Sequence, residues 1–334
     1  MNVAVIGLGY WGPNLVRNLY EIRMCEKLYC CDVDSRKLER MKTRYPAIIV
    51  ETDYRKLLQN KDVHAVIVAT PVSSHFPLAY ESLMAGKHVF VEKPFTPTSD
   101  MARQLIDIAE QKKLTLMVGH TFEFSPPVLK IKEIIDSGHL GAIYYISASR
   151  VNLGLHQKDV SVIWDLAPHD FSILFHWLDE QPSRISAMGR DYVQKNIPDV
   201  AFINMEFPSG CIAHVQVSWL SPSKLRRTTI IGSDKMLVYD DTENTEKVKI
   251  YDKGVDYKDP ETFGEYQLSY RAGDVVSPRL DNFEPLGKEM HHFVDCCLNG
   301  QTPKTDGRNA LRVVKALEAA EKSMRNGSMV IDVD

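Results

Sequence analysis

Short apolar runs alternate with amphipathic stretches along the first third of the chain. The runs are rich in Val and Ile, which predicts buried strands; they are NVAVIG (2–7), KLYCCDVD (27–34), DVHAVIVAT (62–70), HVFVEKPF (88–95) and LTLMVGH (114–120). The stretches between them predict helices, the best marked of which runs over 99–113 with a serine start and a lysine-rich end. This alternation predicts a doubly wound parallel sheet, which binds ligands at the carboxyl ends of its strands.

The pattern changes after about residue 124. A connecting helix over 126–138 and a helix beginning near Asp165 are predicted, among long stretches with period-two alternation that predict strands. These stretches are 142–152, 182–190, 200–207, 211–220, 226–232, 235–241 and 247–252. They favour a large, mostly antiparallel open sheet. Helices over 286–300 and 308–327 follow, each ended by Gly. We predict an α/β protein with domains at 1–122 and 123–334, the last helix being a candidate to pack back on the first domain.

Composition narrows the class of protein. The 334 residues are 44% hydrophobic and 25% charged, which is typical of a globular protein long enough for two domains. A net charge of -4 gives no support for nucleic-acid binding. The start of the chain lacks the basic and apolar segments of a secretory signal, and no apolar run approaches the about 18 residues of a membrane helix. The six cysteines form no C-x-x-C pair, so we expect reduced thiols and a cytoplasmic protein.

The first predicted strand leads into the glycine motif GLGYWG. Gly7, Gly9 and Gly12 are followed by a predicted helix, and the next predicted strand ends in Asp32. This context distinguishes a dinucleotide site from a chance match, because the glycines allow a pyrophosphate to approach the helix N-terminus. Asp32 is expected to bind the ribose hydroxyls and to repel a 2′-phosphate, which favours NAD(H) over NADP(H). Tyr10 and Trp11 lie within the turn and offer backbone N–H groups to phosphate.

Three further loops fall at the carboxyl ends of predicted strands. They contain Thr70, Pro71 and His75; Glu92 and Lys93; and His120. Because such ends meet at one edge of a parallel sheet, the loops are expected to share a crevice with the cofactor. Thr70, Pro71, His75, Glu92 and Lys93 are candidate cofactor contacts. His120 is a candidate for the substrate pocket, with a core position as the alternative.

Five segments resemble the Gfo/Idh/MocA family of oxidoreductases across nearly the whole chain. They are VIGLGYWG, HAVIVATPVSSH, AGKHVFVEKPF, VGHTFEFSP and WDLAPHD, in the family's order. Later segments look like the branch that often acts on nucleotide-linked sugars, UDP-N-acetylglucosaminuronate 3-dehydrogenases among them. The resemblance implies an NAD(P)-dependent enzyme acting on CH–OH groups. It also implies a second domain whose open sheet mediates dimer or tetramer contacts, and a proline after the lysine, Pro94, that often follows a cis bond.

The resemblance also implies that the lysine of EKP and the histidine of D-x-x-x-H meet at the nicotinamide. These residues are Lys93, Asp165 and His169 here. An imidazole exchanges protons near neutral pH, so we assign His169 as general acid/base and Lys93 as the cation that orients the hydroxyl. The reverse assignment stays open. Asp165 is interpreted as a ligand of a substrate hydroxyl, as a group that orients His169, or as a helix cap. No third metal ligand is apparent.

Other polar residues remain as weaker candidates for substrate binding. Asn152 is a pocket candidate by its position in the family. The basic cluster at 224–227, between two predicted strands, and Arg271 and Arg279, in a predicted long loop, suit a diphosphate or a solvated rim. The leading hypothesis is a sugar dehydrogenase or ketoreductase. Its alternatives are oxidation of a free cyclitol or monosaccharide, and a non-catalytic NAD-binding regulator on the same scaffold.

Overall fold

The computed structural model of the chain describes residues 1–154, 156–157, 160–257 and 268–333. The chain forms two compact units. The first unit comprises Met1–Ser125 and Phe283–Glu318, and the second comprises Pro126–Asn282 and Ala319–Asp334. The chain therefore returns to the first unit near its end, and the last helix contributes residues to both units. Within the described ranges, no helix is both long and apolar enough to cross a membrane.

The first unit is built on a parallel sheet with helices between successive strands. Its elements are β1 (Asn2–Ile6), α1 (Gly12–Glu21), β2 (Lys27–Cys31), α2 (Ser35–Arg44), β3 (Ile49–Glu51), α3 (Tyr54–Gln59), β4 (Ala65–Val68), α4 (His75–Met84), β5 (His88–Glu92), α5 (Ser99–Lys112) and β6 (Leu116–Gly119), with short 3-10 helices at Val72–Ser74 and Thr121–Phe124. In the described part of the chain six strands pair in the order β3-β2-β1-β4-β5-β6, all parallel. This order confirms the predicted doubly wound sheet.

The central strands of this sheet are buried on both faces. No residue from Val3 to Val5 or from Ala65 to Val68 has any exposed surface, which explains their unbroken apolar runs. A later helix of the same unit, α8 (Pro285–Asn299), adds to this core. The ring of Phe293 on α8 packs edge-on against that of Phe90 on β5, with centroids 5.6 Å apart. The α8 helix therefore belongs to the structure that positions the end of β5.

The second unit is built on a mixed sheet that is mostly antiparallel, as predicted. Its elements are α6 (Pro126–Asp136), β7 (Ile143–Val151), α7 (Val162–Leu178), β8 (Arg184–Arg190), β9 (Val200–Glu206), β10 (Ile212–Ser218), β11 (Leu225–Gly232), β12 (Met236–Asp240), β13 (Val248–Tyr257), β14 (Leu268–Val276) and β15 (Ile331–Asp332); the helix α9 (Gly307–Arg325) spans the boundary of the two units. Among the described strands the order is β14-β13-β12-β11-β7-β10-β9-β8-β15. Only β7 and β10 pair in parallel within that part of the chain.

One face of this sheet is covered and the other is not. The covered face carries small and aliphatic side chains such as Ala213, Val215 and Val217 of β10, which are at most 3% exposed, and α7 packs on it. The opposite face carries residues such as Phe202 and Ile212, which are 40% and 55% exposed. This alternation is the reason that the period-two pattern was readable in the sequence.

Two sequence-based placements in the second unit were wrong. Helix α7 begins at Val162 rather than near Asp165, because the apolar side chains from Val162 to Trp164 are buried and extend the helix by a turn. Arg226 and Arg227 lie within β11, paired with β7, in agreement with the strand predicted over 226–232, so the basic cluster does not lie wholly between two strands. Arg271 lies in β14 and contacts Asp252 at 2.9 Å instead of occupying a loop. In both strands a charged side chain is tolerated because an acidic partner or solvent is within reach.

A buried ion pair joins the covered face of the sheet to α7. Arg150 of β7 donates from Nε and Nη2 to the two carboxylate oxygens of Asp170, at 2.7 and 3.0 Å. Each residue is 5% exposed. Burial lowers the pKa of Arg150, but the charge of Asp170 and the hydrogen bonds to it, with smaller effects of Tyr239 and Asp241, together outweigh burial, so the net pKa is raised. Removing one partner of such a pair leaves an uncompensated charge in the interior.

We expect Arg150→Met to lower the free energy of unfolding by about 3–5 kcal/mol, because the carboxylate of Asp170 stays buried without its partner. The control is Arg325→Met, which breaks the exposed pair of Arg325 with Glu321 in the same unit and should cost less than about 1 kcal/mol. Denaturant titrations followed by circular dichroism measure both. Equal small losses in the two variants would contradict the assignment.

Candidate active site

The turn between β1 and α1 contains three glycines. Neighbouring backbone leaves no room for a side chain at Gly7 or Gly12, whereas the space beside Gly9 is open. Gly7 has a φ of +99°, and a Cβ there would lie 2.5 Å from the carbonyl oxygen of Ala69. A Cβ at Gly12 would lie 2.0 Å from the carbonyl oxygen of Gly7. Within the described residues, nothing lies within 4 Å of a Cβ placed on Gly9. Packing therefore requires Gly7 and Gly12, whereas Gly9 leaves room for another molecule to approach the backbone.

Helix α1 presents its N-terminus at this open position. Trp11 precedes the helix and makes no capping hydrogen bond through its side chain, and a proline occupies the first turn. The free N–H groups and the positive end of the helix dipole favour an anion there. The side chain of Tyr10 is 82% exposed and packs edge-on against that of Trp11. The turn fits the pyrophosphate of a dinucleotide, and we expect the backbone from Gly9 to Trp11 to contact it.

Asp32 follows β2, and its carboxylate is tied to the glycine turn. Its Oδ2 accepts a hydrogen bond of 2.7 Å from the backbone N–H of Leu8, and its Oδ1 accepts one of 2.9 Å from the backbone N–H of Asp34. Burial raises the pKa of Asp32, but these N–H groups and the Lys37 ammonium outweigh it, so the net pKa is lowered. Arg36 is already paired with Asp34 at 3.0 Å. This anion suits ribose hydroxyls and disfavours a 2′-phosphate.

His75 links the loop after β4 to the loop after β5. Its ring nitrogens lie 2.8 Å from the carbonyl oxygens of Thr70 and Pro94, and its side chain is buried. The ring therefore serves to hold the two loops together and is not presented to a ligand. Thr70 lies beside the glycine turn, since a Cβ on Gly7 would be 2.8 Å from its Cγ2. Pro71 begins the short helix at Val72–Ser74.

Glu92 and Lys93 are two charged residues at the end of the core strand β5. Glu92 is the last residue of β5 and is 7% exposed, whereas Lys93 is half-buried and joined to Pro94 by a cis bond. Burial raises the pKa of Glu92 to about 7, with the charge of Lys93 and its backbone N–H acting in the opposite direction. The paired strand position is Gly119, where a Cβ would lie 3.0 Å from Glu92 Oε2. Gly119 therefore provides the space for the Glu92 carboxyl group.

His120 lies at the end of β6, next to this pair. It is 1% exposed, and neither ring nitrogen has a hydrogen-bond partner in the described part of the chain. Burial, together with the charges of Lys93 and Arg312, lowers the pKa of His120 to about 3, so the ring is neutral. Its position is a core position at the edge of the cofactor loops, which was the alternative raised from the sequence.

The second unit positions Asp165 and His169 one turn apart on α7. Asp165 lies inside the helix and its Oδ2 accepts a hydrogen bond of 3.0 Å from the indole N–H of Trp219, so it is not the helix cap. The ring of His156 packs near that of Trp219, with centroids 5.3 Å apart. Asn152 follows β7, and a Cβ on Gly154 would lie 3.3 Å from its Nδ2. Asp165, His156 and Asn152 thus lie around Trp219.

The predicted site residues therefore fall into two groups. The first unit brings together the glycine turn, Asp32, the Thr70 loop, Glu92–Lys93 and His120 at the carboxyl edge of one sheet. The second unit holds Asn152, Asp165 and His169. The sequence analysis did not identify Trp219, although its position just after a predicted strand was a signal. It also did not identify the buried acids Glu123 and Glu289, for which the one signal was a charged residue within an apolar helical pattern.

Comparison with known families defines the class of protein first. A model described as an oxidoreductase family with an NAD-binding Rossmann fold matches residues 1–120, and a model of the GFO/IDH/MocA C-terminal domain matches residues 128–238. The first unit is an NAD-binding domain, and the protein is an oxidoreductase. The chain belongs to the Gfo/Idh/MocA family.

Curated relatives include dehydrogenases of a cyclitol and of a nucleotide-linked sugar. The scyllo-inositol 2-dehydrogenase (NAD(+)) of Bacillus subtilis (strain 168) is 25% identical over 340 residues, which cover 98% of this chain and 95% of the relative. The UDP-N-acetylglucosamine 3-dehydrogenase of Acidithiobacillus ferrooxidans is 30% identical over 194 residues, which cover 58% of this chain and 60% of the relative. The chain is thus similar to enzymes with two kinds of polyol substrate.

Solved structures share the fold over nearly the full length. The UDP-N-acetylglucosamine 3-dehydrogenase GnnA from Acidithiobacillus ferrooxidans matches with a TM-score of 0.80 and 24% identity, over 98% of both chains. GenD2 from gentamicin A biosynthesis, solved in complex with NAD, matches with a TM-score of 0.83 and 22% identity, over 100% of this chain and 96% of that one. At these identities the likeness establishes the fold.

Substituting Gly9 and Gly12 by Ala should separate binding from folding. Gly9→Ala is expected to leave the melting temperature nearly unchanged and to weaken NADH binding about tenfold or more, because its methyl group fills the space of the pyrophosphate. Gly12→Ala should lower the melting temperature, because its Cβ collides with the Gly7 carbonyl group. Fluorescence titration with NADH and thermal melts measure the two effects. Unchanged NADH affinity in Gly9→Ala would refute the assigned pyrophosphate position.

Proposed function

We propose that the protein is an NAD(H)-dependent dehydrogenase or ketoreductase that transfers a hydride to or from a hydroxyl-bearing carbon of a nucleotide-linked sugar. The observation that carries the proposal is Lys93, a half-buried lysine placed directly after the buried Glu92 at the cofactor edge of the NAD-binding unit. The similarity to a UDP-N-acetylglucosamine 3-dehydrogenase supports the choice of substrate class.

The reaction requires a hydride acceptor, a proton acceptor and a group that orients the alcohol. NAD, when bound, supplies the nicotinamide ring that accepts the hydride from carbon. In this proposal His169 takes the hydroxyl proton, and the Lys93 ammonium donates a hydrogen bond to the substrate oxygen. In the reductive direction His169 returns the proton to the oxygen as the hydride reaches carbon. The negative charge that develops on oxygen is stabilised by Lys93.

Asp165 is proposed to orient His169 rather than to transfer a proton itself. Its carboxylate is engaged by the indole N–H of Trp219 at 3.0 Å, which fixes its direction. It precedes His169 by one helical turn, so the two side chains lie on the same face of α7. Trp219, 1% exposed, acts as the buried support of this arrangement.

A free cyclitol is the second candidate substrate. The scyllo-inositol 2-dehydrogenase relative aligns over 98% of this chain, a longer match than that of the nucleotide-sugar enzyme. Both substrates present an alcohol carbon to the same catalytic groups. They differ in whether the protein must bind a diphosphate, and therefore in whether UDP alone inhibits the reaction.

We expect turnover to depend on Lys93. NADH formation, followed by nicotinamide absorbance, should be observed with a UDP-sugar and should fall about 100-fold or more in Lys93→Met, since the substrate oxygen loses its cationic donor. NADH binding should persist in this variant. The control Lys61→Met removes an exposed lysine of the same unit and should leave turnover unchanged. Free sugars and inositols are assayed in parallel.

Two results of this assay would redirect the assignment. Turnover with inositol alone, insensitive to UDP, would establish the cyclitol candidate. Tight NADH binding without turnover on any polyol would instead identify a non-catalytic NAD-binding regulator.

We further propose that the protein is a homo-oligomer assembled through the uncovered face of the second unit's sheet. One cross-strand row on this face runs through Glu206, Ile212, Tyr145, Ile231, Met236 and Tyr251. Its middle is apolar. One margin of the row carries the Arg184–Glu206 ion pair, and the other continues to Val275 of β14. Asp240 and Lys249 flank the row on the same face, further along β12 and β13. An apolar centre with a charged rim is the composition of a protein interface, and the same face on a second copy is its complement.

The oligomer should dissociate when a charge is placed in the centre of this row. Ile212→Glu introduces a carboxylate at a residue that is 55% exposed in the single chain, and should shift the mass measured by analytical ultracentrifugation toward that of a monomer. The control is Met84→Glu, at a residue of α4 that is 49% exposed in the first unit. A monomeric wild type, or equal assembly of both variants, would contradict the proposed interface.

A further inference from the structure

Glu289 is a fully buried acid that the proposed reaction does not use. It lies on α8, is 0% exposed, and its Oε2 accepts a hydrogen bond of 2.6 Å from the hydroxyl group of Thr121. Its other oxygen, Oε1, is buried and has no hydrogen-bond partner within the described residues. An ionised carboxylate in such a place would lack both solvation and pairing, which is strongly unfavourable.

Glu289 faces the cofactor edge of the sheet, where two further acids are buried. The carboxyl group of Glu92 lies over Gly119, and Thr121, two residues further along, binds Glu289. Glu123 lies in the same short helix as Thr121 and is 1% exposed. Three carboxyl groups thus converge at the end of β6 and around the short helix that follows it, and charges on all three would repel one another.

The cations around these acids are unevenly distributed. Lys93 acts on Glu92, and burial together with this charge leaves the pKa of Glu92 at about 7. Lys304 and Arg312 act on Glu123, whose pKa burial nonetheless raises to about 8. His120, beside them, is neutral.

Glu289 lacks such compensation. Burial and the charges of Glu92 and Glu123 raise its pKa well above the ordinary value, and only the Thr121 hydrogen bond opposes them. In the described part of the chain no cation contributes to this balance.

We propose that Glu289 stays protonated when Glu92 is ionised, so that the neutral Glu289, hydrogen-bonded to Thr121, leaves Glu92 as the anion beside Lys93. The positioning role rests on the proposed function, whereas the location of the proton does not.

The neutral state of Glu289 matters for Lys93. A second negative charge next to Glu92 would attract the Lys93 ammonium group away from the substrate oxygen that it is proposed to orient. It would also disfavour the ionised form of Glu92 by repulsion. A protonated Glu289 avoids both effects. Glu289 is therefore proposed to act on Glu92 by being neutral, and on the end of the sheet through its hydrogen bond with Thr121.

Infrared spectroscopy locates the proton without any substrate. Difference spectra of the whole protein are recorded about one pH unit above the pKa of about 8 given for Glu123, where Glu92 and Glu123 are ionised. The carbonyl stretch of a protonated carboxylic acid is expected in the wild type, in Glu92→Gln and in Glu123→Gln. It should vanish in Glu289→Gln. Absence of the band from the wild type, or its loss in either control instead, would overturn the proposal.

Kinetics then test the positioning role. Glu289→Met is as neutral as the protonated acid but lacks the hydrogen bond with Thr121, and it should lower kcat about tenfold. Glu289→Gln is neutral, can keep that hydrogen bond and should retain most of the wild-type kcat. NADH affinity and melting temperature should be the same in both variants. Equal loss of kcat in the two variants would overturn the positioning role. If the wild type turns over no polyol, the proposed function and this role fall together, while the infrared result still decides where the proton lies.

Discussion

The close approach of backbone between the first strand and the first helix is the constraint on which the NAD-binding unit depends. A methyl group at Gly12 would lie 2.0 Å from the carbonyl oxygen of Gly7, so the chain can turn here only without side chains. The N–H of Gly7 donates to the carbonyl oxygen of Cys31, and that of Leu8 donates to the carboxylate of Asp32. One tight turn therefore orders the end of β1, the end of β2 and the start of α1 together. The proposed pyrophosphate position and the placement of Asp32, the proposed ribose ligand, are consequences of the same packing.

A second constraint is the burial of charge at the carboxyl edge of that sheet. Parallel strands end in loops whose polar groups lack strand partners, and this protein places Glu92, His120, Glu123 and Glu289 there with almost no exposure. Thr121 donates a hydrogen bond to Glu289, His120 is neutral, and Gly119 leaves space for the carboxyl group of Glu92. Helix α8 supplies Glu289 and the Phe293 ring that packs on β5. The return of the chain to the first unit is thus part of the cofactor edge.

The second unit is also a sheet with a helix packed on it, but this sheet is mostly antiparallel. Its sheet buries one face under α7, where the Arg150–Asp170 pair is enclosed, and leaves residues such as Phe202 and Ile212 of the other face exposed. Helix α7 carries both Asp165 and His169, and its own packing fixes them. The indole of Trp219, held against Asp165, couples the end of β10 to that helix. Side chains placed on a packed helix, such as the proposed catalytic residues Asp165 and His169, are held more rigidly than side chains placed on loops.

The sequence by itself determined the elements whose signal is local. The apolar runs predicted most strands of both sheets, since burial on two faces or on one face dictates continuous or alternating patterns. Strands β14 and β15 were not predicted, and Arg271 of β14 had been placed in a loop. The glycine turn, Asp32 and the Glu92–Lys93 pair were identified because their spacing follows from backbone geometry. The short β3 and the helices α2 and α3 were not distinguished, because few of their residues are buried; in α2 only Leu38 and Met41 are. The start of α7 was misplaced because buried Val162 and Trp164 extend the helix beyond the polar residue that resembled a cap.

Only the tertiary structure decided how the buried polar groups are used. His75 was expected to contact the cofactor, but its ring joins two loops whose carbonyl groups come together only in the fold. Trp219 and Asp165 are 54 residues apart in sequence, and Thr121 and Glu289 are 168 apart. No local pattern contains such pairs. The charge state of a buried acid depends on which other charges surround it, and those neighbours are known only once the chain has folded.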